Sequence, residues 1–261
     1  MANEDKGLAV VTGASSGLGH AFARDLAARG YDLLIVARRK ERLEELAERL
    51  RAEQGRTVHV LATDLVAQGG PKTLLDYLEE HRLIPALLVN NAGFGQYGAV
   101  VEQDLMTLVD MVRLNVETAT ILSHEIGKMM ARHQAGGIIN VSSITGFQPC
   151  PYLAVYGATK AYLTSFSEAM AVEMRPYNVR VMALCPGPTE SEFHEKADSP
   201  TQFRKRRLVP AEDCVRRALD AYEAGRVVRT DGLFANLRAF SLRFFPKPWI
   251  RNVAGKMLKP K

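Results

Sequence analysis

Seven short apolar runs recur along this chain, and longer stretches with helical spacing separate them. The runs cover residues 8–13, 31–37, 57–65, 85–93, 136–143, 178–187 and 227–229, and the helical stretches cover 17–29, 40–55, 69–81, 102–134, 152–175 and 210–224. Strands that are apolar throughout are buried on both faces, which is typical of a parallel sheet between layers of helices. The sequence therefore predicts an α/β fold: a Rossmann-type doubly wound parallel sheet of about seven strands, with ligands at the carboxyl ends of the strands.

Bulk properties limit the classes to which this chain can belong. Its 261 residues suit a single domain, since no linker, repeat or low-complexity segment divides them. The polar start MANEDKG argues against a signal peptide, and no apolar run approaches the ~20 residues of a membrane span. Three distant cysteines without a CxxC pair favour a reducing cytoplasm over a disulfide framework or a zinc site. The six histidines show no ligand spacing, so we expect a cytoplasmic protein without a bound metal.

The positive charge is concentrated at the C-terminus. The net charge is +5, but residues 232–261 contain seven Lys or Arg and no Asp or Glu. The remainder is slightly acidic, so the charge does not indicate a nucleic-acid-binding domain. We expect one folded domain over 1–230 and a basic extension over 231–261 that packs on the same domain or on a partner.

A glycine-rich turn links the first strand to the first helix, and it reads TGASSGLG. At this place in a βαβ unit, glycines let the backbone approach a pyrophosphate, and the helix N-terminus supplies free N–H groups and a favourable dipole. The alternative is a tight strand–helix turn without a ligand. We favour phosphate binding, by Gly13, Ser15, Ser16, Gly17, Leu18 and Gly19.

The end of the second strand indicates which dinucleotide binds. Chains that bind NAD usually carry an acidic residue there for the ribose hydroxyls, whereas this chain reads Ala37-Arg38-Arg39. No carboxylate would repel a 2′-phosphate, and Arg38 can pair with one in a planar, charge-assisted contact. The alternative is that the arginines simply begin a solvated helix, and Arg39 could do only that. We favour NADP(H) over NAD(H).

A tyrosine and a lysine stand four residues apart after the fifth strand. On a helix, Tyr156 and Lys160 then share one face, and Ser143 ends the preceding apolar run. A neighbouring cation lowers the pKa of a phenol from ~10 toward the range of general acid–base catalysis. The alternative is an ordinary surface pair, because YxxxK alone is a weak signal.

Together, these motifs make the chain resemble a classical short-chain dehydrogenase/reductase over about residues 7–230, which would make 1–230 an NAD(P)-binding catalytic domain. TGASSGLG resembles the family's cofactor turn, and VSS and YGATK resemble its serine strand and its tyrosine–lysine pair. Asp64-Leu65, NNAG, LNVE and CPGPT match further family motifs in the family's order. The chain looks most like a bacterial branch related to ketoacyl reductases and hydroxysteroid dehydrogenases, which implies an apolar or acyl substrate.

The resemblance also implies residue roles. Tyr156 exchanges a proton with the substrate oxygen, and Ser143 orients that oxygen. Lys160 binds the nicotinamide ribose and lowers the pKa of Tyr156, and Asn115 holds a water that links Lys160 to solvent. The implied cofactor contacts beyond the glycine turn and the two arginines are Asp64, Leu65, Asn91, Ala92, Gly93, Tyr156, Lys160, Pro186, Gly187, Thr189 and Ser191.

Two segments remain open to several interpretations. The resemblance places a substrate lid over 188–209, with Phe193, Phe203 and the basic run 204–207, which either attracts an anionic acyl carrier or, as we favour, is solvated. The tail interleaves aromatic and basic residues, and Pro246 and Pro248 exclude one long helix. It could fold over the pocket, contact a partner subunit or lie on an anionic membrane, and we do not favour the membrane contact.

By the same resemblance, helices within 102–134 and 152–175 form a subunit interface, so we expect a homodimer or homotetramer.

The leading interpretation is an NADP(H)-dependent oxidoreductase (EC 1.1.1.-) that transfers a hydride between nicotinamide and a small-molecule carbonyl or secondary alcohol. A rival is a non-catalytic dinucleotide sensor or scaffold of the same fold, which could keep the glycine turn without the proton relay. A nucleotide-sugar epimerase or dehydratase is a third option, disfavoured by the cofactor turn and by the lack of a large C-terminal domain.

Overall fold

The strands form one parallel sheet, as the alternating pattern predicts. The computed structural model of the protein describes residues 5–193, 197, 208–230 and 244–259. Its strands are β1 (Leu8–Thr12), β2 (Asp32–Ala37), β3 (Val58–Ala62), β4 (Pro85–Asn90), β5 (Gly136–Val141), β6 (Val179–Cys185) and β7 (Val228–Thr230). They lie in the order β3-β2-β1-β4-β5-β6-β7. The strand order reverses between β1 and β4, where a doubly wound sheet opens a crevice for a ligand.

Helices cover both faces of the sheet. They are α1 (Gly17–Ala28), α2 (Lys40–Gln54), α3 (Gly70–Glu80), α4 (Leu105–Val112), α5 (Ala119–His133), α6 (Ala154–Glu173), α7 (Ala211–Glu223) and α8 (Lys247–Leu258). The predicted helix ends agree within two residues outside 102–134. Four predicted runs extend two or three residues past the ends of β3, β4, β5 and β6, because the residues that follow these strands leave the sheet for the loops at its carboxyl edge.

Two apolar cores lie on opposite sides of the sheet. Alternate strand residues point to opposite faces, so Val11 and Ile35 pack with Phe22 of α1 on one side. Their neighbours Val10 and Leu34 belong to the core on the other side. The first core is closed by α1, α2 and α7, and the second by α3, α5 and α6. Every central strand is therefore buried on both faces, which explains the continuous apolar runs.

The predicted helical stretch 102–134 contains a local irregularity. A 3₁₀ turn at Val100–Glu102 precedes α4, and a π-helical turn, Arg113–Thr118, joins α4 to α5. The carboxylate of Asp104 caps α4 by accepting a hydrogen bond from the N–H of Thr107 at 2.7 Å. The π-helical turn carries Asn115, and such turns are frequent at functional sites.

A buried polar network ties β4 and β5 to the helices behind them. Asn90 and Asn140 are opposite each other in the sheet. The Nδ2 of Asn90 donates to Oδ1 of Asn140 and to Oγ of Ser123 on α5, both at 2.9 Å. Asn140 in turn donates to Oγ of Ser167 on α6 at 2.9 Å. Because unsatisfied buried amides are costly, this network fixes α6 against the strand end that precedes Ser143.

The described part of the C-terminal extension packs on the same domain. The helix α8 begins directly after Pro246 and has Pro248 in its first turn, where the missing N–H costs nothing. Ile250 and Ala254 are buried, and the hydroxyl of Tyr97 donates to the carbonyl of Leu258. No helix among the described residues is long and apolar enough to cross a membrane. Phe203 and the basic run 204–207 lie outside the described residues.

Candidate active site

A cavity of about 430 Å³ opens at the carboxyl ends of the strands. This volume is within the range of small-molecule sites. Most of the predicted cofactor and catalytic residues line it: Gly13, Ser15, Ser16, Gly17, Leu18, Arg38, Arg39, Asp64, Leu65, Asn91, Ala92, Gly93, Ser143, Tyr156, Lys160, Pro186, Gly187, Thr189 and Ser191. The structure therefore brings together residues that are spread over almost 180 positions in the sequence.

The glycine-rich turn leaves room for a ligand at the start of α1. Ser16 is the N-cap residue, but its side chain makes no capping bond, so the first N–H groups of the helix remain available to an anion. Gly13 has φ +69°, and a Cβ there would lie 2.8 Å from Nδ2 of Asn91. Gly17 has φ +53°, and a Cβ there would lie 2.8 Å from Ser191. The two glycines thus let the turn pack closely on Asn91 and Ser191, and the uncapped N–H groups at the start of α1 suit a pyrophosphate.

Two predicted residues do not line the cavity. Gly19 was expected to contact the cofactor, but a Cβ there would lie 2.2 Å from the carbonyl oxygen of Gly13. Its role is close packing of the turn on α1. Asn115 is fully buried, and its Nδ2 donates to the carbonyl of Phe94 at 2.9 Å and to Oγ1 of Thr159 at 3.0 Å. Asn115 thus fixes the loop after β4 to α6, and its predicted water stays a prediction.

The two arginines after β2 have different environments. Arg38 is 72% exposed and lies 3.8 Å from the carboxylate of Asp64. Arg39 is only 33% exposed, and its Nη2 and Nε donate to Oγ of Ser15 at 2.9 and 3.1 Å. Arg39 is the N-cap residue of α2, and its side chain is turned to the glycine-rich turn rather than being fully solvated. Arg39 holds its guanidinium against the glycine-rich turn, and its predicted contact with a 2′-phosphate stays a prediction.

Tyr156, Ser143 and Lys160 converge at the other end of the cavity. All three are buried, with exposures of 9%, 6% and 4%. Ser143 follows β5, and Lys160 Nζ donates to the carbonyl of Val141 at 2.7 Å. That ammonium lies 5.7 Å from the centre of the Tyr156 ring. The alternative of a surface tyrosine–lysine pair is therefore wrong.

Burial controls the protonation of this group. It raises the pKa of Tyr156 to about 12, and the hydrogen bond with Ser143 offsets only part of that rise. Burial also lowers the pKa of Lys160 to about 8, against a smaller opposing effect of Cys185. Desolvation of the phenolate is the largest effect on the pKa of Tyr156. The predicted lowering of this pKa by Lys160 stays a prediction.

Several cavity residues carried no sequence signal. Gln148, Cys150 and Tyr97 line the cavity on the Tyr156 side, and Met257 and Leu258 reach it from α8. Glu192 lines the opposite side and pairs with Arg39, 153 positions away in sequence. No local pattern links such distant residues. Among the described residues, no group of three or more His, Cys, Asp or Glu could hold a metal ion.

The comparison with known families agrees with this geometry. The model of the family described as short chain dehydrogenase matches residues 7–202. This chain is a short-chain dehydrogenase/reductase. The predicted family resemblance is thus confirmed, and so is the predicted Rossmann-type fold. The protein is an oxidoreductase of that family.

Individual relatives of this short-chain dehydrogenase/reductase span most of its length. A 7beta-hydroxysteroid dehydrogenase of Clostridium sardiniense is 35% identical over 182 residues, which are 69% of this chain and 68% of that protein. A short chain dehydrogenase of Pseudocercospora fijiensis is 32% identical over 193 residues, 73% of this chain but 62% of that protein. The solved short-chain dehydrogenase from Sphingobium yanoikuyae in complex with NADPH has a TM-score of 0.84 at 30% identity, over 98% of this chain and 96% of that one.

The pKa of Lys160 predicts a pH-dependent stability. Because its folded pKa, about 8, is below the ordinary 10.5, the unfolded chain binds more protons between these values, and stability rises with pH there. Between pH 7 and 9 the contribution of Lys160 is about 1 kcal/mol. Urea denaturation at pH 7, 8 and 9 should show that Lys160→Met lacks this rise, while Lys128→Met, at an exposed site, keeps it. Equal slopes in wild type and Lys160→Met would contradict the buried, destabilised ammonium.

Proposed function

We propose that this short-chain dehydrogenase/reductase is NADP(H)-dependent and transfers a hydride between the nicotinamide and a carbonyl or secondary alcohol carbon. The observation that carries the proposal is a single cavity with Ser143, Tyr156 and Lys160 at one end and Arg39 at the other. The first group suits proton transfer, and the second suits a 2′-phosphate. The NADPH complex of the Sphingobium relative supports the same cofactor.

In the direction of carbonyl reduction, Tyr156 is the general acid. When bound, NADPH would supply a hydride to the carbonyl carbon, and the electrons of the C=O π bond would pass to the oxygen. The phenol of Tyr156 gives its proton to the carbonyl oxygen, and the Ser143 hydroxyl orients that oxygen. Lys160, whose pKa is about 8, can return a proton to the phenolate near neutral pH. The raised pKa of Tyr156 keeps the phenol protonated until the hydride arrives.

We further propose an apolar substrate. At the Tyr156 end, apolar side chains dominate the cavity wall: Phe94, Phe147, Leu153, Phe193, Ala254 and Met257. The 7beta-hydroxysteroid dehydrogenase among the relatives points to bulky ring systems. The proposal thus names two classes of carbonyl substrate, first ketones with bulky ring systems and second acyl thioesters. A panel of ketosteroids, aryl ketones and 3-ketoacyl thioesters, followed by NADPH absorbance, distinguishes the two classes.

The proposal includes a cytoplasmic homodimer or homotetramer. Large apolar side chains are exposed on α4 and α6, among them Leu105, Met106 and Val172 at 70%, 55% and 63%. Contiguous exposed apolar side chains favour contact with a second copy. The cysteines Cys150, Cys185 and Cys214 are buried and stand far apart in the sequence, which suits a reducing compartment.

Replacing Tyr156 tests the proton transfer. Tyr156→Phe keeps the ring but removes the acid, so kcat/KM for the best ketone should fall by about 10²–10⁴-fold. The Kd of NADPH should change by less than about threefold, because the phenol contributes little to binding the whole dinucleotide. Tyr162→Phe, six positions further along α6, is the matched control and should keep wild-type turnover. Wild-type turnover in Tyr156→Phe would refute the mechanism and favour the dinucleotide sensor.

Replacing Arg39 tests the cofactor preference. Arg39→Ala removes the guanidinium from the glycine-rich turn, so the KM of NADPH should rise by about 10–100-fold, the scale of a charge-assisted hydrogen bond. The KM of NADH should stay within about twofold of wild type. Arg49→Ala, on the exposed face of α2, is the matched control. An equal effect on both cofactors would remove Arg39 from the proposed 2′-phosphate site.

A further inference from the structure

Glu192 occupies the place where a 2′-phosphate would meet the arginines. Its carboxylate accepts hydrogen bonds from Nη1 of Arg39 at 2.9 Å and from Nη1 of Arg42 at 2.5 Å. The other edge of the Arg39 guanidinium is bonded to Ser15 of the glycine-rich turn. Glu192 lines the cavity beside both residues. A carboxylate therefore lies at the adenosine end of the proposed dinucleotide site.

Glu192 is part of a three-residue turn that reaches both ends of the cavity. We call Ser191, Glu192 and Phe193 the 191–193 turn. Ser191 lies over Gly17 at the start of α1. Phe193 packs on the ring of Tyr156, with ring centres 5.0 Å apart and an interplanar angle of 46°. Consecutive residues thus contact the arginines and the catalytic tyrosine.

The rings of Phe193 and Tyr156 both pack closely on Gly95. A Cβ at Gly95 would lie 2.7 Å from Phe193 and 2.9 Å from Tyr156, so the loop after β4 leaves just enough room for the two rings. The start of the turn is anchored, because the N–H of Glu190 donates to the carbonyl of Val209 at 2.9 Å. With this fixed start, a displacement of Glu192 is transmitted to the adjacent Phe193.

From this geometry we propose that Glu192 is a specificity-determining residue that couples recognition of the 2′-phosphate to uncovering of Tyr156. This inference rests on the proposed NADP(H) dependence. A phosphate of charge about −2 and the carboxylate of Glu192 cannot share Arg39, because they repel each other and compete for the same N–H groups. The phosphate takes Arg39, Glu192 leaves it, and the 191–193 turn carries Phe193 away from the phenol. NAD(H), which lacks the phosphate, leaves the Glu192–Arg39 pair intact.

Equilibrium binding tests the competition. Glu192→Gln keeps the shape but removes the charge, so the Kd of NADPH should fall by about 5–30-fold, the scale of one exchanged ionic hydrogen bond. The Kd of NADH should change by less than about twofold. Glu190→Gln, in the same segment but not paired with Arg39 or Arg42, is the matched control and should behave as wild type. Unchanged or weaker NADPH binding in Glu192→Gln would overturn the competition.

Hydrogen exchange with adenosine fragments tests the coupling. The fragment 2′,5′-ADP carries the 2′-phosphate without nicotinamide, and 5′-AMP lacks both. In wild type, saturating 2′,5′-ADP should increase deuterium uptake in peptides covering 188–193 at least twofold, and 5′-AMP should not. In Glu192→Gln, uptake in these peptides should be high without any ligand and insensitive to both fragments.

The outcomes separate the two proposals. If calorimetry shows that 2′,5′-ADP binds wild type but uptake in 188–193 is unchanged or reduced, the coupling through Glu192 is wrong while the NADP(H) proposal stands. If 2′,5′-ADP binds no better than 5′-AMP, the NADP(H) preference itself is wrong, and the coupling fails with it.

Discussion

The burial of one phenol and one ammonium beside the end of β5 is the constraint on which the rest of the site depends. Burial of Tyr156 and Lys160 destabilises the charged form of each group, so the two pKa values, which are ordinarily close together, move apart to about 12 and about 8. At neutral pH the phenol holds its proton, and the amine is close to its own titration. In the proposed mechanism, this pairing keeps Tyr156 protonated until it gives up its proton, and it allows Lys160 to return one.

The surrounding structure maintains that burial. The network of Asn90 and Asn140 ties β4 and β5 to the helices α5 and α6, so the strand end before Ser143 and the helix that bears Tyr156 move together. Asn115 performs the same function from the π-helical turn, by fixing Phe94 and Thr159. Phe193 and the helix α8 form the remaining wall of the cavity beside Tyr156. The burial of Tyr156 and Lys160, which is costly in solvation free energy, is thus stabilised by the hydrogen-bonded amides of Asn90, Asn115 and Asn140.

Local sequence patterns were sufficient for the fold and for most of the site. Buried strands and amphipathic helices follow from periodicity, and the glycine turn, Ser143, Tyr156 and Lys160 lie at strand and helix ends that periodicity already places. The direction of the Tyr156 pKa did not follow, because spacing shows that Lys160 is near but not that both groups are dry. The pairing of Glu192 with Arg39 and the part of the cavity wall formed by α8 depend on contacts between residues distant in sequence, for which the chain has no local signal.

In the protein without a bound dinucleotide, desolvation is the largest effect on the pKa of Tyr156. The most direct test is a pH titration of the protein labelled with ¹³C at tyrosine Cζ, with the Tyr156 signal assigned from its absence in Tyr156→Phe. The phenol should remain protonated through pH 10 in the free protein, consistent with a pKa of about 12, and titrate at lower pH once NADP⁺ brings its positive nicotinamide beside the ring. A Tyr156 pKa below 10 in the free protein would contradict the account.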